Sequence, residues 1–369
     1  MTNKTGQFVL NTWYAAAWEH ELDGASNLLA RTICNEKLVF YRTEDGSYTA
    51  LDDRCCHRAA PLSMGRVEAN CLRCMYHGIL YDPSGKVVEI PGQQHISKNM
   101  RVRAYPVCAK GGMLWIWMGE ADLANPDHIH DFPPLSDKAN WRGFDKESYL
   151  HYQANWMLIA DNLADFTHVA FVHTNTLGGS ESYAYESVPD EVEPLDTGLA
   201  IKRWHKNSGP PPFHKRVIPE AEHSEKFDRL NDIEMHMPGV FLMKTLFDPV
   251  AAENSNLKRR EYRNCQYMTP ETWNTTHFFW NYLHNFDLDN AATTSSLQDS
   301  LLEGFLEDKV YIEEQQRLLE ESPDFVPRAI GGDKALTVFR NKWRELLKAE
   351  AEARTPADEA QRVNTKALI

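Results

Sequence analysis

Four residues in the first quarter of the chain, Cys55, His57, Cys74 and His77, have the types and the spacing to hold a metal centre. They sit in two short loops, Cys55-Cys56-His57 and Cys74-Met75-Tyr76-His77, with sixteen residues between His57 and Cys74. Two thiolates and two imidazoles can hold zinc, or a [2Fe–2S] centre in which two imidazoles replace two thiolates on one iron. The spacing favours iron and sulfide. A zinc finger usually draws its thiolates from one turn and its imidazoles from a following helix, whereas here each loop supplies one of each. That suits a dinuclear cluster gripped between opposed loops. The main alternative, a four-thiolate zinc site from Cys55, Cys56, Cys71 and Cys74, leaves His57 and His77 without a role.

A second set of ligand types follows at 161–173. Asp161, Asp165 and His168 fall at i, i+4 and i+7, with Asn162 three residues before Asp165, so a helix over 156–172 would carry them on one side. His173 would lie about 140° round from His168, since five residues turn about 100° each. Both imidazoles can reach one metal only if the helix ends or distorts between them. Thr174-Asn175-Thr176 and Gly178-Gly179 suit such an end. Two His and one carboxylate form the facial triad that holds non-haem Fe(II) with open positions for O₂ and substrate. Glu303, Glu307 and Asp308 on a late helix are all candidates for the carboxylate.

Short strands must present the first site. Glu36–Arg42 and Ser47–Leu51 flank Glu44-Asp45-Gly46, and 78–81 and 86–90 flank Asp82-Pro83-Ser84-Gly85, giving two hairpins. The apolar run 113–118 closes this small domain. The chain then divides as 1–120, an Asn/Asp/His/Pro-rich linker over 121–142, and a larger domain over 143–369. In that larger domain 178–226 reads as an irregular, substrate-covering loop. Strands follow at 239–246, 260–268 and 275–283. A helix over 300–320 shows a buried face of Leu302, Phe305, Leu306 and Val310, and a last helix over 336–354 precedes a polar tail. The fold class is α+β. Arg203, His205, Lys244, His277, Trp280, Asn281 and His284 are uncommitted candidates for a pocket lining.

Composition narrows the partners. A net charge of −14 without a long basic run argues against nucleic acid, and no apolar run approaches the roughly 18 residues of a membrane span. Seven Cys, an odd number, and no N-terminal apolar signal point to a reducing cytoplasm, where thiols serve metals rather than disulfides. No Gly-rich dinucleotide fingerprint is present, so NAD(P)H would have to be oxidised by another protein.

Taken as a pair, C-x-H…C-x-x-H at 55–77 and N-x-x-D-x-x-H-x-x-x-x-H at 162–173 resemble the Rieske non-haem iron oxygenases over nearly the whole chain. The runs Asn11-Thr12-Trp13-Tyr14, Ile90-Pro91-Gly92-Gln93 and Pro211-Pro212-Phe213 are similar to the vanillate and dicamba O-demethylase group. The resemblance implies a small all-β Rieske domain and a catalytic domain of antiparallel sheet and helices, the helix-grip (START/Bet v1-like) arrangement. It implies that Cys55, His57, Cys74 and His77 hold the [2Fe–2S] cluster and that His168 and His173 hold the mononuclear iron. Of the three carboxylates it selects Asp308. It further implies a head-to-tail homotrimer in which Asp165, with Asn162 nearby, bridges the cluster of one subunit to the iron of the next. The sequence departs from the family at Cys56, where Pro is common, and at Met75, where Gly or Pro is usual. Neither change removes a ligand. Ala60 and Tyr76 stand where cytochrome-complex Rieske proteins place a disulfide, so a lower-potential centre fed by a reductase is expected.

The implied activity is that of a terminal oxygenase which uses O₂ and reductase-supplied electrons to O-demethylate a methoxylated, vanillate-like aromatic acid, releasing formaldehyde. Aromatic hydroxylation or ring dioxygenation is the alternative on the same iron. An electron carrier would need only the first 120 or so residues.

Overall fold

Turn-punctuated, β-branched and aromatic sequence in the first third forms eleven short strands. In the computed structural model residues 8–24, 27–144, 148–181, 183–186, 190–250 and 257–353 are described. The strands are β1 (Trp13–Trp18), β2 (Leu28–Ile33), β3 (Glu36–Arg42), β4 (Tyr48–Asp52), β5 (Arg66–Glu68), β6 (Cys71–Arg73), β7 (Leu80–Tyr81), β8 (Val87–Glu89), β9 (Ala104–Tyr105), β10 (Val107–Lys110) and β11 (Met113–Trp117). They make three small sheets, ordered β1-β11-β10, β2-β3-β4-β9 and β5-β6-β7-β8. The β3–β4 hairpin closes as expected. The Asp45 carboxylate accepts from Thr43 Oγ1 (2.6 Å) and Ser47 N (3.0 Å), fixing the reversal.

The larger unit adds β12 (Ser148–Tyr152), α1 (Trp156–Ala164), α2 (Val169–Val172), α3 (Tyr183–Glu186), β13 (Glu191–Leu195), β14 (Gly198–Ser208) and α4 (Pro212–Lys215). After these come β15 (Phe227–His236), β16 (Val240–Pro249), β17 (Arg260–Pro270), β18 (Thr276–His284), α5 (Ala291–Glu321) and α6 (Lys334–Ala353). Seven strands form one antiparallel sheet in the order β12-β18-β17-β16-β15-β14-β13. All nine residues of β18 are buried because both its faces are covered. Phe278, Trp280 and Tyr282 pack with Phe305 of α5, while Phe279 and Leu283 pack with Trp13, Trp115 and Trp117 of the small domain. An antiparallel strand with one wet face would alternate polar and apolar residues; this one does not.

Two expectations need correcting. The stretch 178–226 is not one irregular loop, since β13 and β14 lie inside it; β13 is an edge strand whose Glu191, Glu193 and Pro194 read as loop. On the late helix the buried stripe is Leu297, Leu301, Phe305, Asp308 and Ile312, with Leu306 45% and Val310 63% exposed. Of the expected face Phe305 is buried and Leu302 packs partly against the core, while Leu306 and Val310 turn outward and Gly304 and Asp308 take the buried side. The polar tail lies outside the described residues.

Candidate metal centres and the cavity beside them

The two cluster loops repeat one hydrogen-bonding scheme. Cys55 N donates to Ala60 O (2.8 Å) and Ala59 N to Cys55 O (2.9 Å), just as Cys74 N donates to Ile79 O (2.8 Å) and Gly78 N to Cys74 O (2.9 Å). The fifth residue of each loop, Ala59 (φ 57°) and Gly78 (φ 74°), is left-handed. A Cβ on Gly78 would come within 2.8 Å of Pro91 Cγ. This scheme buries Cys55 and Cys74 and leaves His57 and His77 exposed, their ring centroids 4.6 Å apart. Tyr81 Oη lies 3.0 Å from Cys55 Sγ and accepts from Cys56 N (3.1 Å), tying the first loop to the strand after the second. The four ligand types do not converge on one point as a single zinc would require. Among the described residues only the triad below has three donor atoms within 4.8 Å of one another.

Chain geometry at the second site differs from a continuous helix. Asn155 caps α1 by accepting from Met157 N (2.9 Å), and α1 ends at Ala164 because Asp165 is extended (φ −123°, ψ 106°). The Asp165 carboxylate then accepts from Thr167 N (2.7 Å) and Thr167 Oγ1 (2.9 Å), starting a 3₁₀ turn over Phe166–His168. One break therefore falls before His168, and a second lies between the two imidazoles, as expected, where α2 ends at Val172 with His173 as its cap. Gly178 N donates back to His173 O (2.9 Å), and a Cβ on Gly178 would lie 2.1 Å from Val169 O. Asp161 leaves the expected stripe altogether: it is ion-paired with Arg340 of α6.

These breaks bring His168, His173 and Asp308 together. Asp308 Oδ1 lies 3.1 Å from His173 Nε2 and 3.4 Å from His168 Nε2, and accepts from Asn162 Nδ2 at 2.9 Å. The other ring nitrogens are held from outside. His168 Nδ1 is 2.6 Å from Asp165 O, and His173 Nδ1 is 2.7 Å from Glu307 Oε2, which also accepts from Thr176 Oγ1 (2.6 Å). Both Nε2 atoms thus face one point, the arrangement metal-ligating imidazoles need. Asp165 touches His168 through its carbonyl, not its carboxylate. Of the three candidate acids, Asp308 faces the imidazoles, Glu307 orients one of them, and Glu303 is exposed and paired with Arg216.

Burial alone would raise the Asp308 carboxyl's pKa, but hydrogen bonds from His168 and His173 outweigh it and hold it at about 2. For His173 burial favours the neutral ring, yet Asp308 and then Glu307 push its pKa up. The negative potential that draws a proton here is what a divalent cation would exploit.

Beside the triad is a cavity walled by Leu163, Phe166, Leu177, Phe213, Leu301 and Phe305, with Arg229, Asn231, Thr245, Asn264 and Gln266 on the sheet side. None of the seven residues picked from the sequence for the pocket lining, Arg203, His205, Lys244, His277, Trp280, Asn281 and His284, lines it. Lys244 and Asn281 are each one residue out of register with Met243, Thr245 and Tyr282, which do, and a one-residue offset moves a side chain to the other face. Arg203 pairs with Asp190, His277 sits 2.9 Å from Thr32 O, and His284 sits 3.0 Å from Thr294 Oγ1. The signal that would have found the true lining is the pair of polar residues at alternate positions, 229/231 and 264/266, each pair separated by an apolar residue, Leu230 or Cys265.

A small β domain with opposed Cys/His loops, joined to a sheet-and-helix domain with a two-His, one-carboxylate site, defines a protein that feeds electrons to an oxygen-activating iron. Residues 12–106 match the Rieske [2Fe-2S] domain, and residues 152–349 match the vanillate O-demethylase oxygenase C-terminal domain. The chain is 39% identical over 354 residues, 95% of this chain and all of the relative, to the toluene-4-sulfonate monooxygenase system iron-sulfur subunit TsaM1 of Comamonas testosteroni. It is 31% identical to the dicamba O-demethylase oxygenase component of Stenotrophomonas maltophilia, covering 93% and 99% of the two chains. The crystal structure of dicamba monooxygenase bound to 3,6-dichlorosalicylic acid superposes with a TM-score of 0.85 at 29% identity, over 94% of this chain and 100% of that one. The chain belongs to the Rieske non-haem iron oxygenases, as the oxygenase of a monooxygenase system. Two thiols under two imidazoles fit the Rieske cluster, and two imidazole Nε2 atoms with one carboxylate fit Fe(II). Among the described residues no helix is long and apolar enough to cross a membrane.

Proposed function

We propose that the enzyme oxidises a methyl carbon carried by an aromatic acid. The observation that supports this most directly is the apolar, aromatic-walled cavity opening onto His168, His173 and Asp308. For a methoxylated acid, the case expected from the sequence, oxidation of the methyl carbon gives a hemiacetal that collapses to a phenol and formaldehyde. For a methyl bound directly to the ring the product is a benzylic alcohol. The second form is favoured by the 39% identity to the toluene-4-sulfonate monooxygenase subunit, against 31% for dicamba O-demethylase.

In this reading Cys55, His57, Cys74 and His77 hold the [2Fe–2S] cluster, and His168, His173 and Asp308 hold the iron. When bound, these groups supply single-electron delivery and O₂ activation. The chain's own residues do the rest. Asp165 O and Glu307 Oε2 keep the imidazoles in the Nδ1–H form, Asn162 steadies the Asp308 carboxylate, and Phe166, Leu177, Phe213 and Phe305 keep water from the substrate's methyl. Electrons from NAD(P)H arrive through a separate reductase. Residues 1–120 act as the cluster domain, 121–142 as connector and 143–369 as the catalytic domain. The exposed edge carrying His57 and His77 faces the iron of a neighbour in a homotrimer, with the Asp165 carboxylate as the bridge.

Product analysis tests the reading. With electrons and O₂ supplied, 4-methoxybenzoate or vanillate should yield formaldehyde, or 4-toluenesulfonate its hydroxymethyl product. Ring-hydroxylated or cis-diol products from the same panel, with methyl groups intact, would overturn it.

A further inference from the structure

Arg229 has no part in the chemistry so far described, yet it is 5% exposed and lines the cavity that holds the triad. It projects from β15 on the same side as Asn231, two residues on, and opposite Phe247 of β16, whose ring centroid is 6.0 Å from its guanidinium carbon. Burial pulls its pKa down to about 10, which still leaves it cationic at neutral pH. Among the lining residues the sole carboxylate is Asp308, and that one is engaged by His168, His173 and Asn162. With Fe(II) in place the cavity would carry +2 from the metal, −1 from Asp308 and +1 from Arg229, a net +2 that favours an anionic guest.

Two more groups point the same way. Asn264 and Gln266 of β17, each 2% exposed, line the cavity with side-chain oxygens that no group among the described residues satisfies. Buried amide oxygens without partners are costly, and two of them on one wall beside a cation make a polar end that a ligand would complete. Each can turn its NH₂ toward an anion by a half-rotation of the amide. The remaining walls are apolar and aromatic, so the cavity has a charged polar side on the sheet and an oxidising side at the triad.

We propose that Arg229 is the anion anchor of this cavity: it takes the carboxylate or sulfonate oxygens of an aromatic acid, with the Asn264 and Gln266 amides completing the site, and so directs the methyl-bearing edge of the ring toward the triad. This rests on the methyl-oxidation reading for the direction of the ring, but not for the anion itself. Planar guanidinium suits both acids, since it can donate two parallel hydrogen bonds to either group.

The test is equilibrium binding by titration calorimetry to the intact, iron-loaded oxygenase, using 4-toluenesulfonate, 4-methylbenzoate and their neutral counterparts 4-toluenesulfonamide and 4-methylbenzamide. The wild type should bind at least one acid tenfold or more tighter than its amide, and which acid wins tells a sulfonate site from a carboxylate site. Arg229→Met should weaken that acid at least tenfold while changing the amide less than threefold, and Arg229→Lys should fall between. Cluster absorbance and thermal melting check that the variants are folded. Should Arg229→Met not fold, the wild-type acid-to-amide ratio and the Arg229→Lys value decide. Equal affinity for acid and amide in the wild type, no acid binding at all, or full acid affinity in a folded Arg229→Met protein would each overturn the anchor. Methyl oxidation of acid and amide alike, without acid preference in binding, would remove the anchor and leave methyl oxidation standing. Arg229-dependent acid binding without methyl oxidation would do the reverse.

Discussion

Glu307 offers a sharp test of how the iron site is held. Its Oε2 is 2.7 Å from Nδ1 of His173, a ring only 1% exposed, and accepts from Thr176 Oγ1 at 2.6 Å. Glu307→Ala removes a charged acceptor from the N–H of a buried ring. A hydrogen bond to a charged group is worth about 1.5–3 kcal/mol, and each 1.4 kcal/mol is about tenfold in affinity. The expected loss in Fe(II) affinity is therefore roughly 10- to 100-fold, in keeping with other outer partners of metal-bound imidazoles. Glu307→Gln keeps an acceptor oxygen without the charge, so its loss should be the smaller of the two. Iron affinity is read by competition against a chelator in protein whose cluster absorbance is intact. That absorbance is the internal control, because Cys55, His57, Cys74 and His77 belong to another domain. Wild-type iron affinity in folded Glu307→Ala would refute the claim that this carboxylate orients His173.

Asp165→Asn should keep both metals, since Asn can still accept from Thr167, yet lose turnover; normal product formation per electron delivered would sink the bridging role. Burial lowers the pKa of His205 to about 4, of His214 to about 3 and of His277 to about 4. Because these folded values lie below the unfolded value near 6.5, the unfolded chain takes up protons that the fold excludes, and stability falls as pH drops below about 6.5. By pH 5.5 the loss is about 1.4 kcal/mol for each ring. The urea midpoint should therefore fall between pH 7.5 and 5.5, over the range in which cluster absorbance is constant, and an unchanged midpoint would contradict it. Arg340→Ala leaves the largely buried Asp161 carboxylate without its cation and should cost about 1–3 kcal/mol. The Asp161→Ala, Arg340→Ala double variant should cost clearly less than the sum, and strict additivity in melting would show that the pair is not coupled.

What could be read from the sequence was whatever is local. The two Cys/His loops stand out because thiol, turn and imidazole lie within four residues of one another. The pair His168 and His173 was legible for the same reason, together with the need for a break in the helix. The additional break before His168 was not, because Asp165 ends α1 by its backbone conformation and its cap to Thr167, which helical periodicity does not register. The cavity's polar wall was illegible for a different reason. Arg229, Thr245 and Asn264 come from three strands, and they share a face only once sheet register sets Asn231 opposite Thr245 and Met243 opposite Asn264.

Helix α5 shows how one local error and one correct reading can share a cause. Its buried stripe runs Leu297, Leu301, Phe305, Asp308, Ile312, so a carboxylate occupies a position that periodicity reserves for an apolar side chain. Phe305 anchors the helix on Phe278 and Trp280, and that packing fixes Asp308 three residues on, nearly one turn away. Glu307, next in sequence, is about 100° round the helix and reaches the same imidazole from its other edge. His173 is thus held at Nδ1 by Glu307 and faced at Nε2 by Asp308, both from one rigid element. His168, by contrast, is held by the Asp165 carbonyl of its own turn. The two imidazoles therefore depend on different parts of the fold. Loosening α5 at Phe305 should cost His173 and the carboxylate together, whereas disturbing the turn at Asp165 and Thr167 should cost His168 alone.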